Sequence, residues 1–272
     1  MAVKQLSAST IKIYENSLKK LRDVNIINTQ ETIKFLNENV KNIESRRRHY
    51  CAIIYRLRSE NITNIIHIYS EEIKNLRNQI EKVNDKNEIK ENETFISWKK
   101  ILEIRDEYLA KNKIDKASLM ISFYTLFPVR RNEDLHYMKY LSGKYKLKEL
   151  DKNFNYYDSK NFIFNKYKTS FSYGQQIFKV PLKLKRIFND YITTFEIKND
   201  ELLLNYKFEN DISKILKKKF DFTVNTFRHS FITYISKDNK LTLKRRKEIS
   251  YKMSQNIDSQ LIYNRILPDD DD

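Results

Sequence analysis

Glycine and proline are scarce in this chain, whose 272 residues include 2 glycines and 3 prolines. P-loop and Rossmann phosphate sites place several glycines in one turn, because the backbone there adopts positive φ and approaches the phosphates closely. The composition therefore excludes both kinds of nucleotide site. It also predicts a mainly helical chain with few tight turns.

Cysteine and histidine are scarce as well. Cys51 is the single cysteine, so neither an internal disulfide nor a cysteine-based zinc site can form. The histidines, His49, His67, His136 and His229, do not occur at spacings typical of metal ligands. The sequence therefore calls for no bound metal.

Long apolar runs are missing too. No run approaches the roughly 18 residues that a membrane-spanning helix needs. The N-terminal residues are polar and lack the apolar centre of a signal peptide. We expect no membrane partner and a cytoplasmic or nuclear location, wherever the target nucleic acid resides.

Positive charge is present in excess. Lys+Arg total 52 against 36 for Asp+Glu, which gives a formal net charge of +16. Such an excess favours a polyanionic partner, and nucleic acid is the leading candidate. In a chain this rich in Lys, Asn and Ile, part of the lysine is also ordinary solvated surface, so charge alone does not identify the partner.

Apolar spacing predicts two domains. Residues 1–92 show helical patterns, and the interval at about 82–94 is almost devoid of apolar side chains, as expected of an interdomain linker. Residues 93–268 form the second domain, and 269–272 form an acidic tail. The predicted fold class is mainly α with a small β-hairpin, that is, α+β.

Three segments of the second domain have clear local signatures. Residues 116–126 predict a buried helix that ends before Pro128, and residues 225–234 an apolar helix. Residues 161–168 and 175–181, rich in aromatic and β-branched side chains, predict a hairpin around a turn at 169–174.

A basic run begins the third predicted helix of the first domain. Arg46, Arg47 and Arg48 follow one another near its start. Guanidinium forks match phosphate oxygens, and helix N-termini favour anions. We predict that these arginines contact DNA, with a solvated helix face as the alternative.

Charged and nucleophilic residues recur at three places along the second domain. Residues 128–133 read Pro-Val-Arg-Arg-Asn-Glu, residues 225–229 read Asn-Thr-Phe-Arg-His, and residues 259–263 read Ser-Gln-Leu-Ile-Tyr. An arginine from each of two elements, followed by a tyrosine, suits the breaking of a phosphodiester by a tyrosine nucleophile.

In order and spacing, these motifs resemble those of the tyrosine recombinases, the phage-integrase type of enzyme. The resemblance covers nearly the whole chain: the second domain resembles their catalytic domain and the first their helical core-binding domain. It implies a site-specific recombinase or integrase of a virus or mobile element. Such an enzyme cuts and rejoins double-stranded DNA through a 3′-phosphotyrosyl intermediate, works without cofactors, and assembles on DNA as a homo-oligomer, a tetramer.

The first arginine of the family occurs in a Gly-Leu-Arg-x-x-Glu-Leu or Pro-x-Arg-x-x-Glu pattern. By this resemblance Arg130 holds a non-bridging oxygen of the scissile phosphate, and Glu133 supports the site. Arg131 is the competing choice of register.

The family's His-x-x-Arg-His box resembles residues 225–229. Arg228 takes the place of the second arginine and His229 that of the following histidine. Asn225 departs from the family's usual histidine, and an amide cannot take a proton near neutral pH. A different group or water would then accept the proton of the tyrosine.

The family's general-acid lysine lies on the hairpin. Lys168, beside the turn, is the predicted donor to the departing 5′-hydroxyl, with Lys166 and Lys179 as alternatives.

The closing motif resembles the segment that carries the nucleophile. Tyr263 is the predicted nucleophile, and its phenol, with a pKa of about 10, needs adjacent cations as it attacks. Gln255 or Ser254 occupies the place of a His or Trp in the family, a second departure. Because of these departures, two alternatives stay open: a catalytically weakened DNA-binding relative and a type IB topoisomerase-like enzyme.

Overall fold

Helices make up most of the chain in this computed structural model, which describes residues 6, 8–93, 95–111 and 113–257. A small mixed sheet accompanies the helices, which agrees with the predicted α+β class. The chain divides into two units between Glu93 and Thr94. This position falls within the predicted linker at 82–94, although the backbone there remains helical up to Glu93. None of the helices in the described part is long and apolar enough to cross a bilayer.

The first unit is built from helices α1 (Ala8–Lys19), α2 (Thr29–Asn39), α3 (Ile43–Ser59) and α4 (Ile66–Glu93). Asn28 and Asn42 start α2 and α3, because their side chains accept hydrogen bonds from backbone N–H groups of the first turn. Helix α3 buries four apolar side chains at helical spacing: Tyr50, Ile53, Ile54 and Leu57.

The second unit contains, in chain order, α5 (Trp98–Lys111), α6 (Lys116–Leu126), α7 (Asn132–His136), β1 (Met138–Tyr140), β2 (Asn155–Tyr157), β3 (Asn161–Phe164), α8 (Ser170–Tyr173), β4 (Gln176–Lys179), α9 (Leu182–Thr194), α10 (Asn210–Phe220), α11 (Val224–Lys237) and α12 (Leu243–Lys252). A 3₁₀ turn at Leu147–Glu149 precedes β2. The predicted helices at 116–126 and 225–234 are confirmed as α6 and within α11.

Helix α6 is the centre of this unit. It is apolar on all sides and buried from Ala117 to Tyr124, as expected of a helix enclosed by others. Asp115 caps it in a capping box with Ser118. It ends at Leu126, because Pro128 forces Phe127 into an extended conformation. Arg130 and Arg131 therefore follow closely after the buried end of α6.

The predicted hairpin is confirmed as the antiparallel pair β3–β4, in which Asn161 lies opposite Lys179 and Phe164 opposite Gln176. Its connection contains the short helix α8 and ends at Gly174, whose φ of 64° is cheap only for glycine. Strands β1 and β2, which pair in parallel and complete the order β1-β2-β3-β4, were not predicted. Each spans three residues, too few to show alternation.

Aromatic packing fixes the hairpin against the end of α6. The ring centroids of Phe127 and Phe162 lie 5.3 Å apart, and those of Phe123 and Phe162 5.5 Å apart. Edge-to-face pairs at this distance add stability beyond the buried area. The hairpin and the residues that follow α6 are thus held in one rigid arrangement.

The cap of α6 supplies a stability test. We expect Asp115→Ala to lower the free energy of unfolding of the second unit by about 1 kcal/mol, because Ser118 N–H loses its acceptor. Asp115→Asn keeps an acceptor oxygen and should lose less than half of that. Chemical denaturation of the full chain measures both, and equal losses for the two variants would contradict this role of the cap.

Candidate functional site

The segment that carries Arg228 is held at its start by a capping box. Thr223 accepts a hydrogen bond from the backbone N–H of Thr226 and donates its own N–H to the Thr226 hydroxyl. On the first turns of α11, Asn225 is exposed, Arg228 is buried and His229 is half-buried. The helix therefore turns Arg228 towards the protein interior and leaves the Asn225 amide at the surface.

A surface cleft of about 440 Å³ adjoins this end of α11. Chain segments far apart in sequence line it: Arg131, Asn132 and Glu133 from the start of α7, Lys168 from the hairpin, Glu209, Asn210 and Ser213 from around α10, and Thr223, Val224, Asn225 and Arg228 from α11. We call it the arginine cleft. It brings together five of the residues singled out from the sequence: Arg131, Glu133, Lys168, Asn225 and Arg228.

Arg228 is held by two acceptors. Arg228 is 0% exposed, yet it is one of the residues that form the cleft wall. Nη1 donates to the carbonyl of Val129 at 2.9 Å, and Nη2 donates to the Gln255 side-chain oxygen. Gln255, 5% exposed, was predicted to stand where the family has His or Trp. The structure thus places Gln255 directly on the guanidinium of Arg228.

The two neighbouring arginines, Arg130 and Arg131, lie in different surroundings. Arg130 was expected to hold the phosphate, but it is 0% exposed and does not line the arginine cleft. Its Nε donates to the Asp134 carboxylate, and its Nη1 donates to Gln176 Oε1 at 3.1 Å and to the Lys252 carbonyl at 2.6 Å. Arg131, given a supporting place, is the one that lines the cleft.

The backbone explains this difference. Arg131 is extended, with φ −91° and ψ 168°, before α7 begins. Successive side chains of an extended chain point to opposite sides, so only one of two adjacent arginines can face the cleft. Arg130 faces the core, where its guanidinium carbon lies 3.7 Å from the centroid of the Phe164 ring.

The three candidate lysines lie in different places. Lys168 is exposed and lines the cleft. The Lys166 ammonium instead lies 3.5 Å from the centroid of the Tyr137 ring, a cation–π contact. Lys179 pairs with Asn161, at the end of the hairpin away from its turn. Tyr167, just before Lys168, is anchored by a hydrogen bond of 2.5 Å from its hydroxyl to the Gly174 carbonyl.

Glu133 is a half-buried carboxylate in a cleft lined by cations. Burial raises its pKa to about 7, and the charges of Asp134 and Glu209 add to this. Arg131 and the backbone N–H of Lys168 act in the opposite direction. Its Oε1 is enclosed and accepts no hydrogen bond from the described residues. Glu133 is therefore divided between its charged and neutral forms near neutral pH.

The remaining predicted residues of the second unit lie elsewhere. His229 does not line the cleft. Ser254, the alternative to Gln255, is buried and donates to Gln176 Oε1 at 3.1 Å. Tyr263 lies outside the described residues, as does the tail at 269–272. In the described part of the chain, no group of three His, Cys, Asp or Glu side chains is placed to hold a metal ion.

The basic run of the first unit lies on the first turns of α3. Arg46 donates to the Asn37 side chain at 2.7 Å, and Arg47 forms an ion pair with Glu44 at 3.0 Å. Arg48 is exposed and lines a small cleft of about 220 Å³. Of the three predicted DNA contacts, Arg48 is thus the most accessible.

One side of the cleft was missed by sequence reasoning. Glu209 accepts a hydrogen bond from the Tyr137 hydroxyl at 3.0 Å, and Ser213 pairs with the Asn132 side chain at 3.1 Å. These contacts join α10 to the segment around α7. No motif or spacing marks Glu209 or Ser213 in the sequence, because their place follows from packing between distant helices.

The raised pKa of Glu133 predicts a pH-dependent stability. The folded pKa of about 7 lies above the ordinary value of 4.5, so ionising Glu133 in the folded protein costs free energy. The neutral form therefore stabilises the fold at low pH, and this contribution is lost as pH rises from 4.5 through 7. Allowing for partial solvent screening, the loss is on the order of 2 kcal/mol. Glu133→Gln, which does not ionise, should therefore gain about 2 kcal/mol relative to wild type between pH 5 and pH 8. Denaturant titrations at several pH values measure this difference, and a difference independent of pH would refute the shift.

Comparison with known proteins identifies no relative, so a functional conclusion has to be drawn from the sequence motifs and the arginine cleft. No protein-family model, curated protein or solved structure matches this chain.

Proposed function

We propose that this chain breaks and rejoins duplex DNA by the chemistry of the tyrosine recombinases. One observation carries the proposal: a single cleft collects Arg131, Lys168, Asn225 and Arg228. These residues are separated by up to about a hundred positions in the sequence. Apart from Asn225, which departs from the family's histidine, their types are those that the sequence motifs predict for phosphodiester transfer. A cleft formed for packing alone has no need of three convergent cations.

The proposed roles follow from charge and placement. Arg131 and Arg228 bind non-bridging oxygens of the scissile phosphate. A pentacoordinate transition state gains charge on these oxygens, so cations fixed before the reaction stabilise it more than the ground state. Arg228 is fixed in this sense, because Val129 and Gln255 hold its guanidinium. Asn225 is exposed at the same end of α11 and offers an amide hydrogen bond to the phosphate.

Bond making and breaking are assigned to a tyrosine and a lysine. The Tyr263 oxygen attacks phosphorus, a 3′-phosphotyrosyl bond forms, and the bond from phosphorus to the 5′ oxygen breaks. Lys168 gives a proton to that 5′ oxygen. Rejoining is the reverse, with the 5′-hydroxyl of a partner strand as the nucleophile. No metal or nucleotide enters either step.

The assignment of the phosphate role to Arg131 also suits the sequence pattern. Asp134 and Leu135 follow Arg131 by three and four positions, as the acid and leucine do in the family's Arg-x-x-Glu-Leu pattern. Counted from Arg130, an acid also follows by three positions, but no leucine follows by four. Placement and pattern therefore favour the same arginine.

Double-stranded DNA is the proposed partner of both units. The net charge of +16 supplies the general attraction, and contacts to phosphates make such binding strongly salt-dependent. In the first unit, Arg48 is the exposed member of the basic run. Assembly into a homo-oligomer on DNA is part of the proposal, since recombination needs four strands to be cut.

A DNA-binding protein without catalytic activity is the second candidate. Two features favour it: Asn225 cannot take a proton, and the Nη1 and Nη2 groups of Arg228 are already bonded to protein oxygens. Such a protein would bind duplex through the same cleft and never form a covalent link.

Covalent capture distinguishes these candidates. We expect wild-type protein, incubated with duplexes nicked near candidate sites, to form a protein–DNA adduct, and Tyr263→Phe to form none while binding duplex normally. Tyr234, exposed on α11, supplies the matched control, and Tyr234→Phe should react like wild type. Binding without any adduct in the wild type would favour the second candidate. Relaxation of supercoiled plasmid without site preference would indicate a type IB topoisomerase.

The two arginines should respond differently to substitution. Arg131→Ala removes a cation from the cleft, and we expect adduct formation to fall by about 10² to 10³ with little loss of stability. Arg130→Met leaves Asp134 buried without its partner, so we expect a loss of about 3–5 kcal/mol in unfolding free energy. Single-turnover adduct assays and denaturation measure the two effects. The reverse outcome, in which Arg131→Ala reacts normally, would return the phosphate role to Arg130.

A further inference from the structure

We propose that the Phe171 ring inserts between base pairs of the bound duplex and so directs binding to base steps that unstack easily. This role rests on the proposed function, which makes duplex DNA the partner, and it adds a specificity-determining residue beside the arginine cleft. Phe171 lies on α8, in the connection of the hairpin, and belongs neither to the sequence motifs nor to the cleft wall.

The exposure of Phe171 is large for an aromatic side chain. It is 83% exposed, the highest value among the large apolar side chains of the described residues. A ring left in water contributes little to the stability of the fold, because it removes little apolar surface from solvent. A single exposed apolar side chain is common on protein surfaces, so its surroundings decide whether it marks a site.

The connection that carries Phe171 is anchored on both sides of the ring. The Thr169 hydroxyl donates to the Ser254 carbonyl at 3.0 Å. The ring of Tyr173 packs edge-on against that of Tyr251, with centroids 5.8 Å apart. The backbone that presents Phe171 is thus held in place before any partner binds, and less ordering is needed on binding.

The charge around Phe171 favours a nucleic acid as its partner. Residues 159–189, which we call the acid-free stretch, contain no Asp or Glu and seven Lys and Arg. An apolar ring among cations suits a polyanion that also offers flat apolar faces, and DNA offers both in its phosphates and its bases. A second copy of this chain would bring the same cations to the contact and be repelled.

Lys168 brings Phe171 close to a phosphate in the arginine cleft. Lys168 lines the cleft, and Phe171 follows it by three residues. Their Cα atoms are at most about 11 Å apart, and the hydrogen-bonded turns between Tyr167 and Tyr173 shorten this distance. Duplex DNA rises about 3.4 Å per base pair, so the ring meets the duplex within roughly three base pairs of a phosphate bound by Lys168.

A phenyl ring recognises DNA through deformation of the duplex. It offers no strong hydrogen-bond donor or acceptor, so it cannot read the base edges as polar side chains do. Apolar side chains inserted at a base step unstack it and kink the duplex. Pyrimidine–purine steps such as TA unstack easily, whereas runs of adenine are stiff. Phe171 therefore favours sites with a pyrimidine–purine step near the bound phosphate.

Two duplexes that differ only in base order test this role. Each has about 30 base pairs, all of them A·T; one alternates T and A, and the other has every adenine on one strand. We expect the full wild-type chain to bind the alternating duplex about tenfold more tightly at one fixed salt concentration, measured by fluorescence anisotropy. Phe171→Ala should bind both duplexes alike. Phe171→Trp, which keeps a flat ring, should retain the preference.

Unstacking is observed directly when 2-aminopurine replaces some adenines of the alternating duplex. Stacking quenches its fluorescence, so the signal should rise when wild-type protein binds and stay low with Phe171→Ala. Phe195 supplies the matched control, because it is 43% exposed, lies beside Glu196 and falls outside the acid-free stretch. Phe195→Ala should keep both the preference and the fluorescence change.

The role of Phe171 is overturned if Phe171→Ala loses affinity equally for both duplexes or keeps the wild-type preference. It is also overturned if the wild type forms a DNA-free oligomer that Phe171→Ala dissociates in sedimentation velocity, since the ring would then contact protein. Wild-type protein that forms covalent adducts yet shows no preference between the duplexes would overturn this role and leave the recombinase proposal intact. Wild-type protein that binds neither duplex would overturn both.

Discussion

The buried guanidinium of Arg130 is the contact on which the rest of the cleft depends. It joins its own segment to Asp134 on α7, to Gln176 on β4 and to the carbonyl of Lys252 at the end of α12. A charge taken out of water is tolerated only when such partners surround it, so these segments cannot separate without a large cost. Arg131 comes next in the chain after Arg130, and Glu133 immediately precedes Asp134. Lys168 lies on the connection that leads to β4, and Gln255 follows Lys252 by three residues.

A second buried guanidinium extends the same arrangement. Arg228 ties α11 to the Val129 carbonyl, one residue before Arg130, and to Gln255 beyond α12. The two arginines therefore both hold the segment at Val129 and Arg130, one from within it and the other from α11. Preorganisation of this kind matters for phosphoryl chemistry, because cations that need not move during the reaction contribute most to the transition state. The cost is a second fully desolvated charge in the core.

Local sequence signals predicted several of the elements, but they could not tell which of two neighbouring side chains faces the cleft. Helix α6 and the hairpin were predictable, since a cap, a proline and aromatic residues around a glycine-bearing turn mark their limits. Strands β1 and β2 are three residues long, and their parallel pairing depends on distant contacts. The different placement of Arg130 and Arg131 has the same origin. Both fit a pattern of residue types, and only the direction of each side chain in the folded chain separates them.

The charge balance of the arginine cleft gives a physical reason for the carboxylates among its basic side chains. Three basic side chains, Arg131, Lys168 and Arg228, share the wall with Glu133 and Glu209. Cations that line one cleft repel one another, and carboxylates in the same cleft reduce the repulsion when no phosphate is bound. A phosphate that enters adds negative charge beside Glu133 and favours its neutral form. In the proposed complex with DNA, binding and proton uptake are then linked, so the cleft should bind duplex more tightly as pH falls through 7.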